Sequence, residues 1–146
     1  MENIVDNIKY VGIDLDDTLY NRDNVYKNTF YIMEKEVVCT NSHFEKFNKT
    51  FQKYSINEFD KYTTGKKSKL SYKLDRVKSA YKDFGKTISE EEALIFHSLY
   101  EYFRNNITLR PDALEFIQLL KELHVQPFIL TNGPSEDQWE KIKDIR

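Results

Sequence analysis

Residues 10–20 read YVGIDLDDTLY, and this stretch decides how the rest of the chain is interpreted. It begins with a short run of β-branched and aromatic residues and ends in a cluster of acids, a pattern that is typical of a buried strand stopping at a polar edge. A second short apolar run, VQPFIL at 125–130, breaks at TNGP, residues 131–134. The two runs predict two strands of one α/β sheet.

The apolar pattern between these two runs is helical. Ser42 is a candidate N-cap for one helix, and Ser89 with Glu92 forms a capping-box pattern that opens another. Gly85 is expected to end the helix before that box. Aromatic residues recur every three or four positions in an aromatic stripe, which we expect to form a core: Phe44, Phe47, Phe51 and Tyr54.

The order of predicted elements is a strand, a long helical block, a helix, a strand and a helix. Pro111 suits the first turn of the helix before the second strand, and Trp139 is expected to pack the last helix onto the sheet. This order predicts an α/β domain, residues 1–21 and 107–146, that is interrupted by an all-helical domain, residues 22–106.

Composition excludes several classes of protein. The 146 residues include 40% hydrophobic residues, enough for a core, and 22 basic against 24 acidic residues leave a formal net charge of −2. We therefore expect neither a nucleic-acid polymer nor a membrane as partner. The start of the chain lacks the pattern of a signal peptide, and Cys39, the single cysteine, is expected to be a buried thiol. Together these features favour a cytoplasmic protein.

Acids follow the first predicted strand and polar residues follow the second. Ligands of open α/β sheets bind outside the carboxyl ends of the strands, so these groups could share one site. Crowded carboxylates such as Asp14 and Asp16 need a cation among them, and Mg²⁺ suits them. One carboxylate could attack a bound phosphorus, and another two residues on could move a proton. The Thr131 hydroxyl and the Asn132 amide could hold the phosphoryl oxygens.

Two short stretches carry a resemblance to a known family. DLDDTLY, residues 14–20, resembles the first motif of haloacid dehalogenase-like (HAD) phosphatases, which is Asp-x-Asp-x-Thr after an apolar strand. LTNG, residues 130–133, resembles the second motif. The resemblance implies that Asp14 is the nucleophile that forms an aspartyl phosphate, that Asp16 is the general acid/base, and that Thr18 is the motif threonine of the phosphate-binding site.

The resemblance also implies a fold and an activity. Thr131 would bind the transferring phosphoryl group, and Asp14 and Asp16 would hold Mg²⁺. The implied fold is a partial Rossmann-like core with three layers, α/β/α, and an inserted all-helical cap. The implied reaction is Mg²⁺-dependent hydrolysis of a small phosphorylated metabolite, in the manner of nucleotidase-like phosphatases. Dehalogenase members do not keep an aspartate at the position of Asp16, so this residue favours phosphoryl transfer.

The chain departs from the family pattern after its second motif. The third motif of the family is a lysine or arginine, and the fourth is an acidic pair on a later strand. Only thirteen residues follow Gly133, and Lys141 and Lys143 lie too early to match the third motif. We therefore expect a C-terminally truncated chain that has little or no turnover by itself.

Other functions stay open at this stage. A phosphomutase uses the same first two motifs, and a chain without the later motifs could instead bind a phosphate-bearing ligand or a partner without turnover. An open sheet also has an unpaired edge that allows self-association. A group of basic residues is interpreted as a solvated face of the helical domain rather than a ligand-binding patch, and it includes Lys69, Lys73, Arg76 and Lys78.

Overall fold

The structure of the protein, a computed structural model, describes residues 7–143. Its elements in chain order are β1 (Tyr10–Ile13), α1 (Arg22–Glu36), α2 (Phe44–Thr63), α3 (Lys69–Asp83), α4 (Glu90–Asn105), α5 (Pro111–Glu122), β2 (Gln126–Ile129) and α6 (Ser135–Ile142). The predicted order of elements is confirmed, and so is the predicted fold class of a partial α/β core with an inserted all-helical block.

The two strands pair in parallel and end together. Ile13 lies opposite Ile129, and the Leu130 N–H donates to the Ile13 carbonyl at 2.9 Å, one step beyond the strand. Pro127 lies inside β2 although it has no N–H to donate, which is tolerated because one side of β2 is unpaired within residues 7–143. Parallel pairing brings the carboxyl ends of both strands, and hence Asp14, to one edge.

Contacts between residues divide the chain into two compact units. The helical unit is Val25–Phe103, and the strand unit combines the residues up to Asn24 with those from Arg104 onward. Helices α1 and α4 run through the two junctions without a break. The domain bounds proposed from the sequence, 22–106 within 1–21 and 107–146, stay a prediction.

Aromatic side chains form the core of the helical unit. Phe47 is 2% exposed, and its ring contacts five other aromatic rings with centroids 4.9–6.4 Å apart. The predicted aromatic stripe is confirmed as core: three members are buried and Tyr54 packs half-buried against them. Burial of each large apolar side chain stabilises the fold by roughly 1.5–3 kcal/mol.

Local signals define most of the helix ends. The Ser89–Glu92 capping box is confirmed, with the Ser89 N–H donating to the Glu92 carboxylate at 2.7 Å and the Glu92 N–H to the Ser89 hydroxyl at 3.1 Å. Gly85 follows α3 with a φ of 71°, as a helix-ending glycine requires. The Ser42 assignment is wrong, because His43 is the residue before α2 and makes no side-chain cap.

The strand unit buries less apolar surface than its sequence suggests. Tyr10 and Leu130 are 69% and 66% exposed, and Trp139 is 64% exposed, so its predicted packing onto the sheet is wrong. In the helical unit, Cys39 is exposed rather than buried. Among the described residues, no helix combines the length and the apolar character needed to cross a bilayer.

A buried acid ties α2 to α3. Glu58 is 5% exposed and accepts hydrogen bonds from Lys61 and Lys67, and Lys67 also donates to Asp75 of α3 at 2.6 Å. Burial raises the pKa of Glu58, but the two lysines outweigh it and hold the pKa below its ordinary value. The acid is therefore a stabilising charge at neutral pH.

We expect Glu58→Gln to lower the free energy of unfolding by about 1.5–3 kcal/mol, because charge-assisted bonds are replaced by weaker ones. The native pKa of Glu58 is depressed, so the difference from wild type is full above about pH 4.5 and is lost as pH falls through the native pKa. Urea unfolding at a series of pH values measures it. Asp60→Asn, an exposed acid on the same helix, is the control; equal losses in both variants would contradict the assignment.

Candidate active site

The turn after β1 presents Asp14 to solvent. Leu15 is fully buried, and its carbonyl accepts hydrogen bonds from the Thr18 N–H at 3.4 Å and the Leu19 N–H at 3.1 Å. The Thr18 hydroxyl donates to Oδ2 of Asp14 at 3.0 Å. The turn also holds Asp17 at a φ of 62°, a conformation that Asp and Asn adopt more readily than most residues. Asp14 is thus an exposed, oriented carboxylate with Oδ1 left for another group.

Asp16, two residues on, has the opposite environment. Its half-buried carboxylate accepts hydrogen bonds from the Tyr20 hydroxyl, from Lys141 Nζ at 2.6 Å and from Gln138 Nε2 at 3.0 Å. Burial raises the pKa of Asp16, but the bonds from Lys141, Tyr20 and Gln138 outweigh it, so the pKa lies below its ordinary value. Burial and the bond to Asp16 raise the pKa of Tyr20, which keeps the phenol a donor.

Helix α6 supplies two of these donors from one face. Gln138 and Lys141 are three residues apart, and both are buried, at 5% and 8% exposure. A buried ammonium is costly unless it is paired, and here the Asp16 carboxylate pairs it while the Tyr20 ring lies 5.8 Å from Nζ. The ion pair therefore fixes both the loop after β1 and the position of α6.

Gly133 allows α6 to come close to the loop after β2. A Cβ at this position would lie 1.7 Å from Gln138 Nε2, so any larger residue would push the glutamine away from Asp16. Nearby, the half-buried Thr131 accepts a long hydrogen bond, 3.5 Å, from the Gly133 N–H. Asn132 is exposed. The second motif thus contributes its glycine to packing as well as its polar side chains to the edge of the sheet.

A buried arginine at the end of α4 also positions α6. Arg104 is 4% exposed and forms salt bridges with Glu140 and, at 3.6 Å, with Asp137. No motif identified Arg104, Gln138 or Lys141 from the sequence. The one available signal is that Gln138 and Lys141 share a helix face directly after the second motif.

Two cavities flank the carboxyl ends of the strands. One, of about 420 Å³, is lined by Ile129, Thr131, Gly133, Ser135, Gln138, Trp139 and Ile142. The other, of about 390 Å³, is lined by Ile13, Asp17, Thr18, Leu19, Arg110, Asp112, Ala113 and Phe116. Of the predicted site residues, Thr131 therefore lines the first cavity and Thr18 the second.

The two predicted magnesium ligands, Asp14 and Asp16, differ in how well they could bind the ion. In residues 7–143 no cluster of three or more Asp, Glu, His or Cys residues could hold a metal ion. The exposed Asp14 carboxylate has the hard oxygen chemistry that Mg²⁺ prefers. Both carboxylate oxygens of Asp16 already accept hydrogen bonds, one of them from a lysine. Asp16 could therefore serve a metal most readily through its backbone carbonyl, and its role as a ligand stays a prediction.

We expect Lys141→Met to lower the free energy of unfolding by about 1–3 kcal/mol, because Asp16 loses its charged donor while the apolar stem is kept. Lys143→Met, at the exposed residue directly after α6, is the control. Urea unfolding followed by the fluorescence of Trp139, the only tryptophan, reports on α6 directly. Equal midpoints for wild type and Lys141→Met would show that the pair contributes no stability.

Solved structures with low sequence identity share this fold. YfnB from Bacillus subtilis, assigned as a HAD hydrolase and solved bound to magnesium, has a TM-score of 0.64 at 18% identity, over 94% of this chain and 58% of that one. L-2-haloacid dehalogenase from Xanthobacter autotrophicus has a TM-score of 0.56 at 17% identity, over 94% and 51%. A further dehalogenase has a TM-score of 0.59 at 15% identity, over 96% and 58%.

The chain thus spans between half and three-fifths of the length of these structures. No sequence among the curated proteins matches it. The family model of the haloacid dehalogenase-like hydrolases matches residues 8–145, which include both predicted motifs and nearly the whole chain. This chain therefore belongs to the haloacid dehalogenase-like hydrolase family.

Proposed function

We propose that this chain carries the front part of a Mg²⁺-dependent phosphomonoester hydrolase that acts through an aspartyl phosphate at Asp14. The observation that carries the proposal is the contrast between two carboxylates two residues apart. Asp14 is exposed and oriented by Thr18, whereas Asp16 is half-buried and held by three donors. A nucleophile needs an exposed and oriented carboxylate such as that of Asp14. A group that moves a proton needs a carboxylate held by hydrogen bonds, such as that of Asp16.

The residues divide the reaction between them. Oδ1 of Asp14 attacks phosphorus, and the bond from phosphorus to the leaving oxygen breaks. Asp16 gives that oxygen its proton from its protonated form, which its lowered pKa makes the minor form in the free site. In the second half, the carboxylate form of Asp16, which Lys141, Tyr20 and Gln138 favour, takes a proton from the water that attacks the aspartyl phosphate. The two steps return both aspartates to their starting forms.

Donors at the end of β2 would hold the phosphoryl group. The Thr131 hydroxyl and the Asn132 amide follow the strand that pairs with β1, so they reach the same edge as Asp14. When bound, Mg²⁺ neutralises charge on the phosphoryl oxygens, and Asp14 with the backbone carbonyl of Asp16 would hold it. The substrate class is a small phosphorylated metabolite, and a cytoplasmic location, favoured by the single cysteine, is part of this proposal.

The similar structures include dehalogenases, so the likeness of fold supports a hydrolase without selecting the reaction. Asp16 favours phosphoryl transfer over dehalogenation, because dehalogenases that share the first motif do not keep an aspartate at this position. The same experiment tests two alternatives. A phosphomutase would keep the phosphate on its sugar substrate, and a non-catalytic protein would bind phosphate compounds without releasing phosphate.

Because this chain by itself is expected to have little turnover, we expect only slow Mg²⁺-dependent phosphate release from a panel of phosphomonoesters. That release should be abolished by Asp14→Asn and lowered by Asp16→Asn. Asp17→Asn is the matched control, because its side chain is exposed and asparagine tolerates its positive φ. Mass spectrometry of acid-quenched samples should show a phosphoryl group on wild type and none on Asp14→Asn. Phosphate release that survives in Asp14→Asn would refute the mechanism, and halide release from 2-haloacids would replace it with dehalogenation.

Removal of the metal gives a second test. We expect EDTA to stop phosphate release and excess Mg²⁺ to restore it fully, because the Asp14 carboxylate and the phosphate otherwise repel each other. Ca²⁺, which takes more ligands in looser geometry, should restore less activity than Mg²⁺ does. Full activity in EDTA would contradict the role of the ion.

We also propose that the chain self-associates through the edge of its sheet at β1, which is unpaired within residues 7–143 and where the Tyr10 side chain is largely exposed. Light scattering after size-exclusion chromatography should show dimers that dissociate on dilution, and Tyr10→Lys should abolish them. Tyr31→Lys, an exposed tyrosine on α1, is the control. A monomer at every concentration would contradict this proposal.

A further inference from the structure

Arg76 of α3 is a buried charge that the proposed function does not use. Its side chain is 7% exposed, and it is the only arginine within Val25–Phe103. The sequence predicted a solvated basic face here, and that prediction is wrong for Arg76 and for Lys73, which is also 7% exposed. Lysines and arginines are seldom buried to this degree without a partner, so the surroundings of Arg76 need a physical explanation.

Aromatic rings surround the guanidinium. Its central carbon lies 4.9 Å from the ring centroid of Phe51, 5.6 Å from that of Tyr100 and 5.7 Å from that of Tyr72. The Tyr100 ring is itself held by stacking on Tyr26, with centroids 5.0 Å apart. Ring faces attract a cation, and the planar guanidinium suits them better than an ammonium would. The rings therefore explain how the charge is tolerated.

The rings do not accept hydrogen bonds from the N–H groups, which lie in the plane of the guanidinium. The Nε–H of Arg76 is buried and has no hydrogen-bond acceptor, and no carboxylate among residues 7–143 forms a salt bridge with this arginine. The acids on the adjoining helix turns are engaged elsewhere: Lys67 donates to Asp75 at 2.6 Å, and Lys73 donates to Glu101 at 3.2 Å. A buried donor without an acceptor costs about 1–3 kcal/mol, and more when it is charged.

The terminal nitrogens of Arg76 differ from Nε in one respect. Within residues 7–143 they make no hydrogen bond either, yet they keep contact with solvent, since Nε is the one nitrogen of Arg76 that is both buried and unpaired. Nε and a terminal nitrogen form the edge of the guanidinium that binds two oxygens of one anion in parallel. A ligand can therefore reach the terminal nitrogens from solvent, whereas it reaches Nε only when a neighbouring side chain moves aside.

We propose that the helical unit has an oxyanion-binding site at Arg76, which takes a carboxylate or phosphate group of a small molecule. One terminal N–H donates to an oxygen of the group from the solvent side, and the Nε–H donates to a second oxygen once a small side-chain movement uncovers it. The ring faces of Phe51, Tyr72 and Tyr100 fix the plane of the guanidinium. The anion supplies the acceptor and the opposite charge that this arginine lacks. This site is independent of the proposed reaction at Asp14.

Nuclear magnetic resonance of the ¹⁵N-labelled full chain tests the site directly, through the arginine Nε–H signals. Inorganic phosphate and malonate, a dicarboxylate, are titrated separately at constant ionic strength set with sodium chloride. We expect the Arg76 signal to shift and saturate with at least one of them. Saturation with phosphate alone, or with malonate alone, assigns the preferred group. Arg22 and Arg110, which are exposed and paired with Asp17 and Asp112, serve as internal controls and should not saturate.

The Arg76 signal is assigned by its loss in Arg76→Lys, or by through-bond correlation in wild type if that variant does not fold. Arg76→Lys, which keeps the charge but not the paired donors, should weaken binding about tenfold or more, measured on the amide signals of α3. Lys78→Gln, an accessible charge on the same helix, should change the affinity less than twofold. Thr131→Ala should leave the Arg76 response unchanged, which separates this site from phosphate binding near β2. An Arg76 signal that responds to neither anion would overturn the proposal.

Discussion

The carboxylate of Asp16 is the point on which the strand unit depends, because hydrogen bonds from three side chains in two parts of the chain end there. Tyr20 comes from the turn after β1, and Gln138 and Lys141 come from the helix after β2. Removing the carboxyl group would leave a buried ammonium and a buried phenol without their acceptor. One ion pair with two supporting hydrogen bonds therefore sets the geometry of the loop after β1 and of the loop between β2 and α6.

This arrangement explains why residues that look alike in the sequence differ in environment. Asp14, Asp16 and Asp17 lie within four positions, yet one is exposed and oriented, one is half-buried and clamped, and one pairs with Arg22 on the surface. The alternation follows from the tight turn, in which the buried side chains of Leu15 and Leu19 anchor the backbone. The proposed two-step hydrolysis requires such a difference in surroundings between neighbouring carboxylates.

The two units achieve stability by different means. The helical unit packs an aromatic core around Phe47 and adds ionic contacts such as Glu58 with Lys67. The strand unit has a sheet of two strands within residues 7–143, and its outer apolar residues, such as Tyr10 and Trp139, stay exposed. A small apolar core leaves more of the stabilisation to polar contacts, which is consistent with the buried positions of Arg104 and Lys141.

The sequence by itself determined the order of elements, the aromatic core, the capping box at Ser89 and the family, because these depend on local periodicity and short motifs. It could not determine which distant side chains meet. Lys141 reaches Asp16 across 125 positions, and Gly133 is needed because Gln138 packs against it, not for any backbone angle. The burial of Arg76 and the exposure of Trp139 were mispredicted for the same physical reason. Helical spacing defines a face, and only the packing of other elements decides whether that face is covered.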